Sequence, residues 1–138
     1  MTQKCLYAFI AVFLVLMTAC SGTMKGVVRK DARRVSFNYS DSRIGKADVQ
    51  VVMPEGERFE GRVKKGTEGT RSNSSTTISS DRFEAVETFA GNADALLSGN
   101  RGNIMKCRFH LTDTIMCFSS AGFGICQLSD GRIIDIFF

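Results

Sequence analysis

An unbroken apolar run from Leu6 to Met17 opens the chain, and from residue 34 onward the apolar residues recur in twos instead. The run is shorter than the roughly 20 apolar residues of a membrane span. It ends in Thr18-Ala19-Cys20-Ser21-Gly22, small or hydroxylated residues like those at the cleavage site of a secretory leader, and so predicts an N-terminal signal helix. Further on, Val35, Phe37 and Tyr39 alternate with Ser36 and Asn38, and Val49, Val51 and Met53 alternate with Asp48, Gln50 and Val52. Phe59, Gly61 and Val63 likewise alternate with Arg58, Glu60, Arg62 and Lys64. A period of two marks a strand with one buried face, and Pro54-Glu55-Gly56-Glu57 between the last two runs predicts a hairpin. Ala95 to Leu97 leads through SGNRG into a run where Met105, Cys107, Phe109 and Leu111 alternate with Lys106, Arg108 and His110. GFGICQL and RIIDIFF, joined by Ser129-Asp130-Gly131, complete the set. The expected fold is all-β, a small antiparallel barrel or sandwich of about 7–8 strands after the signal helix.

The same pattern divides the chain. Residues 1–19 read as the leader, 20–33 as a basic tether carrying Lys25, Arg29, Lys30 and Arg33, with Arg34 just after it, and 34–138 as one β domain. Residues 66–82 hold one large apolar residue, Ile78, too little to offset the entropy of ordering, and are expected to form a mobile loop. In FEAVETFA, Phe83, Val86 and Phe89 recur at helical spacing, while Phe83, Ala85, Glu87 and Phe89 fit a strand. The β surroundings favour the strand.

Met17-Thr18-Ala19-Cys20 resembles the lipobox of bacterial lipoproteins, with methionine where leucine is usual. The resemblance implies that Cys20 becomes lipidated and is the first residue of the mature chain. Several acyl chains anchor durably where one holds only marginally. Ser21 after the cysteine, by the sorting pattern of such lipoproteins, implies the outer membrane, facing the periplasm. The basic residues of the tether could then touch anionic head groups, at about 1 kcal/mol per charge, although a solvated tether with incidental charges is the favoured reading.

Two further resemblances are local. Glu55-Gly56 and Asp130-Gly131 are each followed by apolar residues three and seven places past the glycine, and with Gly122 and Gly124 the last segment is similar to a MORN-type hairpin repeat. Turn chemistry also explains the pattern, since such glycines supply the positive φ of tight hairpins. The chain also resembles small uncharacterised bacterial lipoproteins carrying P-x-G-E-x-F-x-G, then G-x-R-G before a cysteine strand, then G-x-G-x-C-x-x-x-D-G. Those positions are Pro54, Gly56, Glu57, Phe59 and Gly61; Gly99, Arg101, Gly102 and Cys107; and Gly122, Gly124, Cys126, Asp130 and Gly131. This resemblance carries a place and a fold, and no activity.

Five cysteines are present; Cys5 leaves with the leader and Cys20 is the lipid site, so Cys107, Cys117 and Cys126 remain for an oxidising compartment. If the strands around Cys107 and Cys126 pair antiparallel with those residues opposite, Met105 faces Leu128 and Phe109 faces Gly124 on one apolar face. A meander with TIMCFSS as an intervening strand would hold the two cysteines near 10 Å apart, too far for a bond, and give Cys117 a partner. The alternation favours a Cys107–Cys126 disulfide, with Cys117 free and residues 111–122 looping out.

Charge and chemistry narrow the function by exclusion. With 18 basic and 14 acidic residues the basic excess is too small to argue for nucleic acid. His110 is the only histidine, and the cysteine spacings match no zinc pattern, so no metal or cofactor is expected. Asp130 and Asp135 are accounted for by a turn and by surface alternation. The expected function is a non-catalytic, membrane-anchored lipoprotein of the cell envelope, structural or holding an envelope protein partner. The alternatives are a small-ligand-binding β-barrel, whose interior would hold a cavity, and a thiol or hydrolase enzyme using Cys117 and His110 as nucleophile and base.

Overall fold

The structure is a computed structural model, and it describes residues 2–15, 20–41, 46–66, 82–112 and 121–138. The apolar run forms helix α1, Thr2–Val15. Eight strands follow: β1 Cys20–Val28, β2 Arg34–Asp41, β3 Lys46–Val52, β4 Arg58–Lys65, β5 Ala93–Gly99, β6 Ile104–Leu111, β7 Gly122–Leu128 and β8 Ile133–Phe137. Each pairs antiparallel with the next, and β1 closes on β8 from Lys25 opposite Phe137 to Val28 opposite Ile134. The result is a closed up-and-down barrel, which leaves no unpaired sheet edge.

Alternation decides which residues enter the lumen. In β2 the residues Val35, Phe37, Tyr39 and Asp41 are buried and their neighbours exposed, and in β3 Ala47, Val49 and Val51 repeat the pattern. Phe37, Phe59, Phe109, Met24, Met53, Leu97, Met105, Leu128, Ile134 and Ile136 are large side chains of the buried set and join one core. An eight-stranded barrel has an interior just wide enough for side chains to fill or for one small ligand, and these side chains pack together in it.

Three of the four turns at one end share one design. Met53 N–H donates to Glu57 O and Gly56 N–H to Met53 O; Gly99 N–H to Asn103 O and Gly102 N–H to Gly99 O; Leu128 N–H to Arg132 O and Gly131 N–H to Leu128 O. Gly56, Gly102 and Gly131 have φ of 89°, 88° and 93°. This is the three-residue hairpin loop that places a glycine in the left-handed region before the ladder resumes. The fourth turn, between β1 and β2, puts Ala32 at φ 56°.

Two expectations are corrected. Residues 20–33 are not a tether: Cys20–Val28 is β1, paired along its length with β2, with Met24 and Val28 buried. Gly26 stands between them because a β-carbon there would meet Val35, Phe37 and Ile134 side chains at 2.8–2.9 Å. FEAVETFA is not a strand but contains a short helix, α2, Glu84–Thr88. The reason is closure: β4 already pairs with β5 from Phe59 opposite Gly99 to Lys65 opposite Ala93, so no edge remains for the segment between them. Its apolar residues cover the outer wall instead. The expected loop 66–82 lies outside the described residues except for Gly66 and Arg82, and Cys117 lies outside them too.

Candidate functional site

An up-and-down barrel with tight turns at one end gathers everything else at the other. That loop end carries the start of β1 at Cys20, the ends of β2, β4 and β6, the start of β7 and the last residue, Phe138.

Inside it lies a buried ion pair. Asp41 continues the inward row Val35, Phe37, Tyr39, and Lys65 continues Phe59, Gly61, Val63. The Lys65 ammonium donates to Asp41 Oδ2, with the two side chains 2% and 0% exposed. Ala47 of β3 faces Asp41 on one side and Val63 on the other, and its small side chain leaves room for the lysine stem to cross. Tyr39 sits one inward position above Asp41, where burial raises the pKa of its phenol and the Asp41 charge acts in the same direction.

Cys20 faces Asp41 across β1 and β2. Its sulfur is engaged in a disulfide. Cys5 is free, and Cys107 bonds Cys126. The Cys107–Cys126 bond joins adjacent strands β6 and β7, with Cα atoms 4.0 Å apart, in the register the alternation predicted: Met105 opposite Leu128 and Phe109 opposite Gly124.

Outside the barrel, α2 lies on the wall made by β6 and β7. Phe83 and Val86, at helical spacing, are buried with Ile125, an outward residue of β7. Gln127 accepts a hydrogen bond from Ala85 N–H at 3.2 Å. Lys106 pairs with Glu87, and Arg108 donates to Asp94 at 2.6 Å and to the Glu87 and Phe89 carbonyls at 3.2 Å. Phe89 meets Phe123 edge to face at 5.8 Å, and His110 stacks on Phe123 at 5.2 Å. His110 is thus an exposed ring on an aromatic shelf, and the structure does not bring it together with a nucleophile among the described residues.

The carboxylates of the other end are held in the turns and on β8. Asp130 accepts from Arg132 N–H and Nε, Arg132 also pairs with Glu55 at 2.6 Å, and Asp135 accepts two bonds from Arg29 at 2.8 Å. Glu57 is buried, takes a 2.8 Å bond from Asn103 Nδ2 on one oxygen and rests the other against Gly99. No group of three metal-ligating side chains occurs among the described residues.

The Asp41–Lys65 pair was not among the expected sites. Its signal was present: both charges occupy positions at which an apolar alternation would place another inward residue. Comparison with family models, with curated proteins and with solved structures finds no match for this chain.

Proposed function

We propose that the chain is an exported, non-catalytic barrel of the cell envelope that works by holding a partner. One observation carries the reading. All eight strands lie within residues 20–138, whereas Leu6, Tyr7, Phe9, Ile10, Val12 and Phe13 of α1 all stand exposed. An apolar helix that contributes no strand to the domain behaves as a leader, and a domain that starts at Cys20 loses nothing when the leader is cut. No described helix is long and apolar enough to cross a membrane. The packing of large apolar side chains into one interior cluster supports a holding role over carriage of a ligand inside the barrel, and the ring stacking of His110 supports it over thiol catalysis.

How the barrel is held in the envelope turns on one sulfur. The lipobox resemblance assigns Cys20 a thioether to lipid, at the outer membrane. The disulfide at Cys20 favours a second reading, in which the leader is removed and Cys20 staples the start of β1 without any lipid. One sulfur makes one of these bonds.

Intact-mass measurement and non-reducing peptide mapping of the protein exported from a two-membrane bacterium test both. A mature chain beginning at Cys20 is expected. Acyl mass on that residue establishes the lipid anchor, and a peptide linking Cys20 to another cysteine at unmodified mass establishes the staple. A chain that keeps residues 1–19 and stays in the cytoplasm overturns the exported reading altogether.

A further inference from the structure

One row of outward side chains crosses four neighbouring strands. Lys25 of β1 lies opposite Phe137 of β8, Phe137 opposite Phe123 of β7, and Phe123 opposite His110 of β6. Neighbouring strands stand about 4.8 Å apart, so the four form a continuous shelf. Phe123 and Phe137 are 47% and 57% exposed, and the half-buried Phe89 packs its edge on Phe123 from the end of α2. Exposed aromatic side chains gathered in one patch mark an interaction site more often than the same residues scattered singly.

The chemistry of the shelf selects its occupant. Its large rings are phenyls, with neither hydroxyl nor indole N–H to specify a polar ligand, and Lys25 lies exposed at its margin. Apolar rings beside a basic side chain suit the boundary between acyl chains and head groups of a bilayer. Position agrees. Phe123 is the second residue of β7, Phe137 the last of β8 and His110 the last but one of β6, so the row sits at the loop end, the end at which β1 begins. With the leader removed, Cys20 at the start of β1 is where the lipid-anchor reading attaches the chain, so the bilayer lies at that end.

We propose that this wall of the barrel, carried by Phe123 and Phe137 with Phe89, His110 and Lys25 around them, is a membrane-seating surface whose occupant is the lipid bilayer. The inference deepens the exported-envelope reading and rests on it. The basic residues Arg29, Lys30, Arg33 and Arg34 do not share the surface, because the first three follow the far end of β1 and Arg34 opens β2 opposite Val27, about 23 to 26 Å along the strand from Cys20. They face away from the membrane when the loop end is seated.

The chain contains no tryptophan, which makes a clean probe. Phe123→Trp, Phe137→Trp and, at the opposite end, Val52→Trp are made in the exported protein, from which the leader is gone, and mixed with vesicles of phosphatidylethanolamine and phosphatidylglycerol carrying brominated acyl chains. The expected result is quenching severalfold stronger at positions 123 and 137 than at 52. Equal quenching at all three positions, or co-sedimentation with no quenching at 123 and 137, overturns the seat. So does failure to bind vesicles, or a dimer in solution that Phe123→Ser abolishes, which would assign the shelf to a second copy. Failure of export is read separately, from the leader still present in the intact mass, so the two readings fail by different measurements.

Discussion

The two ends of the barrel are built by different physics. At the tight-turn end, three loops reuse one backbone design, each with a glycine near φ 90°, and side chains stitch the loops together: Glu57 to Asn103, Asn100 to the backbone of Arg58, Arg132 to Glu55. Local conformational preference does most of the work there. At the loop end the strands finish on a disulfide-bonded cysteine, and on a buried ion pair and an outward aromatic shelf that each join residues of different strands. The difference teaches where function can be placed. An end closed by local turns has little left to specialise, whereas an end closed by long-range contacts carries groups that packing alone would not select.

Breaking the loop end should give the largest effect. Asp41→Ala removes the carboxylate that faces the buried Lys65 ammonium, and loss of one partner of a buried pair costs about 3 to 5 kcal/mol. Urea unfolding measures it, and a loss under about 1 kcal/mol would mean that water reaches the pair. Asp41→Leu combined with Lys65→Met should recover part of the loss, since no unmatched charge is then buried.

The disulfide in the middle of the wall comes next. Cys107 and Cys126 are 19 residues apart, and the loop-closure entropy of such a bond corresponds to about 3 kcal/mol. Cys107→Ser and Cys126→Ser should lower the unfolding midpoint equally, with the double variant no worse than either. A double variant much less stable than both single ones would show that the two side chains act separately.

At the tight-turn end the effects should be smaller and of either sign. A β-carbon at Gly131 has open space, so Gly131→Ala is opposed only by the left-handed backbone, at about 1 to 2 kcal/mol. Ala32 already carries that cost, and Ala32→Gly should therefore stabilise, by up to about 1 kcal/mol. Thermal melts of the pair give opposite shifts, and shifts of the same sign would remove the backbone explanation.

The smallest effect concerns pH. Burial raises the pKa of Tyr39 above the usual phenol value, with Asp41 acting in the same direction, so the unfolded chain ionises near pH 10 while the folded one resists. The stability linked to this group is full below about pH 10 and is lost as the pH rises through the higher folded value. Tyr39→Phe should flatten the alkaline decline, measured by denaturant unfolding at pH 8 and pH 11. Parallel declines in both proteins would assign the alkaline loss to other groups.

Much of the barrel could be read along the chain. The alternations at Val35–Tyr39, Val49–Met53, Phe59–Val63 and Met105–Leu111 all became strands with the expected residues inside, and the opposition of Cys107 to Cys126 followed from the shared apolar face. β1 was hidden because its inward positions hold Met24, Gly26 and Val28 among Lys25 and Arg29, a pattern in which glycine breaks the apolar count. Gly26 marks a crowded interior, which only the neighbours Val35, Phe37 and Ile134 reveal. The helix at Glu84–Thr88 was misread for a related reason: its spacing fits either period, and the choice depended on whether a sheet edge was open.

By itself the sequence determined the strands with clean alternation and the loops whose glycines need positive φ, because period and turn chemistry act over a few neighbouring residues. Only the tertiary structure decided closure of β1 on β8, the meeting of Asp41 with Lys65, the burial of α2 against Ile125, and the alignment of Lys25, Phe137, Phe123 and His110 into one row. Those features depend on which strands become neighbours and in what register, and register is set by the simultaneous packing of every inward side chain, a constraint that no single segment contains.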